Sequence, residues 1–86
     1  MGLYEYSNLI LTDRLQLVWE QGTFLANIKT YTHGLNLYAL FDFYVEVTVT
    51  YKSNETVITD ATAFQKGYRL TKYLEQIDLS EWIENR

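Results

Sequence analysis

Residues 35–51 form a seventeen-residue stretch rich in strand-favouring side chains, with neither glycine nor proline. A single strand of that length is foreign to a small domain. The natural break falls at Phe41 and Asp42, which predicts strands over 35–40 and 43–51 joined by a turn. The second strand alternates cleanly. Phe43, Val45, Val47, Val49 and Tyr51 point one way, and Tyr44, Glu46, Thr48 and Thr50 the other. That pattern belongs to a half-buried strand of an antiparallel sheet.

The flanking segments extend the same reading. Phe24, Ala26 and Ile28 alternate with Leu25, Asn27 and Lys29, which predicts a strand before the run. His33 and Gly34 read as a hairpin turn, because glycine accepts a positive φ. A polar loop over 52–55 then leads to a last strand over 56–64. Residues 12–21 fit two patterns. Leu11, Leu15, Val18 and Trp19 recur at helical spacing, while Leu15, Leu17 and Trp19 also alternate as a strand would. Thr12 with Asp13 resembles an N-cap and Gly22 a C-terminal stop, so the helix is preferred. Residues 1–11 read as a tether with apolar content that packs somewhere. Leu70, Tyr73, Leu74 and Ile77 predict a helix within 65–86, with Asp78 and Glu81 starting a short final turn before Trp82.

The expected architecture is α+β and two-layer: a four-stranded antiparallel meander covered on one face by N- and C-terminal helices, in a single small globular domain over 1–86. Such a short chain has little core to spare. Eight Tyr, four Phe and two Trp are most simply the filling of that core, or of a subunit interface.

Charge and composition narrow the function classes. Seven Lys and Arg against eleven Asp and Glu give a net charge of −4, which disfavours a nucleic-acid or anionic-membrane binder acting by bulk charge. The chain has no cysteine and one histidine, so thiol catalysis, disulfides and multi-histidine metal sites are excluded. No apolar stretch is long enough to span a membrane, and the first residues lack the basic-then-apolar pattern of a secretory signal, so a cytoplasmic location is expected.

No motif names a reaction. The glycines are scattered, so no phosphate loop or dinucleotide fingerprint exists. His33 reads as a solvated turn residue, and Asp42 and Glu46 as a turn residue and a solvated strand residue. Asp60 shares a strand face with Ile58 and Phe64 by simple alternation, and needs a donor if that face is buried. Lys66, Arg69 and Lys72 read as a solvated basic face, and the acidic run from Glu75 to Glu84 suggests at most a basic partner.

The expected function is therefore a non-catalytic protein-interaction module that self-associates, without cofactor or metal and with no enzyme reaction assigned. Its contact residues would be Tyr38, Tyr44, Thr48 and Thr50 on an open sheet face, with Trp82 as an anchor near the terminus. The alternative is a small-ligand binder or modest enzyme, using an aromatic pocket between sheet and helices touched by Asp60 or His33.

Overall fold

A computed structural model describes residues 1–65. Residues 66–86 lie outside the described residues, and with them the predicted C-terminal helix, the Lys66, Arg69 and Lys72 cluster, the acidic run and Trp82. The described chain runs α1 (Leu3–Ser7), α2 (Leu11–Gln21), β1 (Thr23–Lys29), β2 (His33–Leu40), β3 (Phe43–Lys52) and β4 (Glu55–Phe64). The strands form one open antiparallel sheet in the order β1-β2-β3-β4. With its two short helices the chain is α+β. No helix among the described residues is long and apolar enough to cross a membrane.

The predicted break at Phe41 and Asp42 is a two-residue hairpin turn, with Leu40 paired to Phe43. The loop expected over 52–55 is equally tight: Lys52 pairs with Glu55 across Ser53 and Asn54. Both turns hold their first central residue at positive φ, 54° at Phe41 and 48° at Ser53. Such a turn favours glycine at that position, so each side chain costs about 1–2 kcal/mol of backbone strain.

The turn expected at His33 and Gly34 lies earlier. Residues 30–32 make it, and hydroxyl groups stand in for glycine. The Thr30 N–H donates to the His33 carbonyl at 2.8 Å, and Thr30 Oγ1 accepts the His33 N–H at 3.1 Å. His33 and Gly34 begin β2, and Gly34 is buried there. A β-carbon at Gly34 would lie 2.7 Å from the Tyr51 hydroxyl, so this glycine lets the Tyr51 ring lie close over β2 rather than forming a turn.

The helix reading of residues 12–21 holds, with different caps. Ile10 is the N-cap and makes no side-chain cap bond, which leaves Thr12 and Asp13 inside the first turn. Gly22 ends the helix at φ −80°, not in the left-handed region. It is glycine because a β-carbon would sit 2.6 Å from the Val18 carbonyl oxygen. The expected tether at 1–11 contains a helical turn, α1, whose Tyr6 is fully buried.

The main core joins helices to sheet. Tyr6 and Val18 cluster with Leu40, Phe43, Val45, Val47 and Ala61, with Leu15, Leu17, Val49 and Ile58 packed around them. Tyr6 and Phe43 stack tilted, ring centres 5.4 Å apart. The alternation read in β3 is therefore real: Phe43, Val45 and Val47 are buried on the core face. The other face is less polar than expected. Leu37 and Phe64 form a second cluster there with Ala26, Ile28, Leu35 and Tyr44. Glu46, expected to be solvated, is 3% exposed on that face, where it pairs with Leu37 and Thr62.

Two bulges set which side chains share a face. One interrupts β1 between Phe24 and Ala26, the other β4 opposite Thr48 and Val49. The first puts Phe24 on the core face with Tyr38, whereas Ala26 and Ile28 go to the opposite face. The second leaves Thr59 without a cross-strand pair and brings Ile58, Ala61 and Ala63 together against the core.

Candidate functional site

The residues expected to form one open face are divided. Tyr38 pairs with Val45 and Tyr44 with Ala39, so the two tyrosines lie on opposite faces of the sheet. The cause is the two-residue turn, across which even-numbered β2 residues pair with odd-numbered β3 residues. Tyr44 is half-buried, its ring 5.8 Å from that of Phe64. Thr48 and Thr50 share the face of Tyr44 and are also half-buried, with Thr50 Oγ1 3.2 Å from Thr59 Oγ1. Trp82, as noted, is not among the described residues.

Asp60 and His33 do not converge. They stand on β4 and β2, with β3 between them. The His33 ring lies in a threonine cluster, its Nδ1 2.9 Å from Thr32 Oγ1. The bulge also separates Asp60 from Ile58, which simple alternation placed together. Among the described residues no three His, Asp or Glu side chains are grouped as metal ligands would be.

What the fold does assemble is an aromatic corner where α2 meets β1. Trp19 stands in the last turn of α2, Phe24 is the second residue of β1, and Tyr38 contacts both rings. The ring centres are 5.7 Å apart for Trp19 and Tyr38, and 5.6 Å for Phe24 and Tyr38, both edge to face. Burial pushes the Tyr38 hydroxyl pKa upward. Trp19 and Phe24 nevertheless remain 52% and 55% exposed, and Leu25, pushed out by the bulge, is exposed beside them. Sequence reading found Tyr38 and missed its neighbours. Trp19 looked like part of the buried helical stripe, and Phe24 looked in phase with Ala26. The bulge that takes Phe24 out of phase has no marker in the sequence.

β1 and β4 are the two edges of the sheet, and they differ. On β4 the outward-facing groups of Ala61 are both satisfied. Arg14 Nη1, from α2, donates to the Ala61 carbonyl at 2.6 Å, and Asp60 Oδ1 accepts the Ala61 N–H at 2.8 Å. Thr62 Oγ1 donates to the other oxygen of Asp60 at 3.2 Å. Arg14 and Asp60 stand 3.8 Å apart as an ion pair. Tyr6 steadies this clamp by donating its hydroxyl to the Arg14 carbonyl at 2.8 Å. On β1, no side-chain hydrogen bond from the described residues reaches the backbone; Asn27 bonds inward, to Asn36 and Leu35 on β2.

A second feature sits at the β2–β3 turn. A shallow cavity of about 240 Å³ is lined by Ala39, Phe41, Asp42, Phe43 and Tyr44. It lies at the hairpin tip, away from the space between sheet and helices that the alternative reading would use. Compared with known protein families, curated proteins and solved structures, the chain matches none.

Proposed function

We propose that the chain is a non-catalytic interaction module that associates with a second copy of itself along the β1 edge. The observation that carries this reading is the aromatic corner: Trp19 and Phe24 half-exposed and joined through Tyr38, with Leu25 beside them on an edge that no side chain of the described residues clamps. Aromatic side chains partly free of the core are the usual anchors of an interface. A second copy fits the patch because its own contacts carry no charge, so two chains of net charge −4 meet there without opposing carboxylates at the centre. Two-fold self-pairing is also the commonest assembly. The bulge at Leu25 and the terminal Lys29 limit how far main-chain pairing would run, so side-chain contact dominates. The layered arrangement that accompanies this reading has helices from both ends of the chain over one face. Tyr6 and Val18, in one core with Val45 and Val47, support its N-terminal part.

Light scattering behind a sizing column, over a dilution series, tests the proposal. The expected mass is twice the 10.2 kDa of the chain, falling to one chain in Phe24→Lys with circular dichroism unchanged. A wild-type monomer at every concentration, or a Phe24→Lys dimer, overturns it. Tyr44 is a poor site for this test, because it packs on Phe64 and its replacement would disturb the fold.

A further inference from the structure

We propose that the second face of the sheet, around Glu46, is a docking surface for residues 66–86 of the same chain, with a cation of the Lys66, Arg69 and Lys72 cluster set against the carboxylate. The docking does not depend on self-association at the β1 edge. It keeps the N-terminal part of the layered arrangement and moves the C-terminal part to the opposite face.

Burial is the first observation. Leu37 and Glu46 pair across β2 and β3 and are each 3% exposed, and Phe64, on the same face, is buried too. Central-strand side chains on an uncovered sheet face stay partly in water, so burial this complete needs a second layer. The helices α1 and α2 are not that layer, because Tyr6 and Val18 pack with Val45 and Val47 on the other face. The connections between the described elements span three residues or fewer, too short to lie across a sheet. The burial belongs to a single chain, so a second copy is not the cover.

The path of the chain is the second observation. Strand β4 ends at Phe64, whose ring packs on Tyr44 on this face, so residues 66–86 start from its border. Their sequence carries the apolar stripe of Leu70, Tyr73, Leu74 and Ile77 that a covering layer needs.

Charge is the third observation. A carboxylate withdrawn from water is held by donors or a counter-charge, and Glu46 is engaged. Its neighbours in the sheet, Leu37, Thr62, Tyr44 and Thr48, carry no positive charge. Arg14 is committed to Ala61 and Asp60, while Lys29 and Lys52 stand at the ends of β1 and β3. Lys66, Arg69 and Lys72 are the next cations along the chain.

The chain has no cysteine, so Gln76→Cys gives a nitroxide one attachment point, opposite the apolar stripe in helical phase. Line broadening is then read at the methyl groups of Leu35 and Leu37 on the second face, and of Leu15 and Leu17 on the helix side. The background is Phe24→Lys, so that the fate of self-association leaves the result unaffected. The expected broadening is severalfold stronger at Leu35 and Leu37. Equal or stronger broadening at Leu15 and Leu17, or none at either pair, overturns the proposal. So does broadening of Leu35 and Leu37 in unlabelled chains mixed with nitroxide-bearing ones, which would make the cover a second copy. Glu46→Gln should lower the melting temperature, as should replacement of Lys66, Arg69 and Lys72 by Gln, and the combination should add little to either. Additive shifts overturn the charge pairing.

Discussion

The two edges of the sheet solve the same problem in opposite ways. An edge strand presents unpaired N–H and C=O groups that invite another chain. On β4, Arg14 and Asp60 occupy both such groups of Ala61, and α1 and α2 pack nearby through Tyr6 and Val18. On β1, the deterrents are a bulge at Leu25 and a charge at Lys29, while Phe24 and Leu25 stay exposed. The clamp closes β4 chemically; the bulge only roughens β1. The difference teaches that, among the described residues, side chains occupy the backbone groups of one edge and leave those of the other without such bonds.

Removing the clamp should have the largest effect. Arg14→Met keeps an apolar stem but frees the Ala61 carbonyl and strips Asp60 of its counter-charge. The Arg14 Nε it also removes is buried with no partner among the described residues, which limits the loss. Chemical denaturation should show a destabilisation of about 2 kcal/mol. The variant should also gain a tendency to form larger species that Phe24→Lys does not suppress. If Phe24→Lys does suppress them, β4 is not the edge that opened.

A smaller effect is expected at Tyr6, which holds the helix side of the clamp. Tyr6→Phe removes the hydrogen bond to the Arg14 carbonyl and should cost about 1 kcal/mol. It should also alter the alkaline limb of stability. Burial pushes the Tyr6 hydroxyl from 10.0 to about 12, while Arg14 pulls it the other way. The folded chain thus keeps a proton that the unfolded chain releases. Its contribution is intact below pH 10 and lost as pH rises towards 12. Thermal melts across that window should fall less steeply for Tyr6→Phe than for wild type. Parallel slopes would mean that other groups govern the alkaline transition.

The smallest effect belongs to Asp60→Asn. The amide oxygen still accepts the Ala61 N–H; the ion pair with Arg14 and the acceptor for the Thr62 hydroxyl are lost, on a side chain 54% exposed. Exposed pairs are weak, so the change should stay below about 1 kcal/mol. A loss as large as that of Arg14→Met would show that the charge on Asp60, not the capping of Ala61, protects this edge.

Local pattern was a good guide to the elements and a poor one to the faces. The period of two in β3 and the break at Phe41 and Asp42 are properties of neighbouring residues, and both stand in the fold. Tyr38 and Tyr44, expected on one face, stand on opposite faces, because a two-residue turn inverts parity between its strands. That rule was available once the turn was located. The bulges were not: neither the sequence around Leu25 nor that around Thr59 carries a glycine or other marker. Gly34, expected in a turn, lies within β2, where its neighbour is the Tyr51 hydroxyl from the next strand.

By itself, then, the sequence determined a four-stranded antiparallel sheet with the break at Phe41 and Asp42, a helix before it, and the buried row of Phe43, Val45 and Val47. Hydrophobic periodicity and turn chemistry act over a few residues, and a single chain displays them directly. Tertiary structure alone decided that Glu46 is buried, that Trp19, Tyr38 and Phe24 meet, and that Arg14 closes the β4 edge at Ala61, far along the chain. Those outcomes depend on register, and one bulged residue reverses the facing of every side chain beyond it.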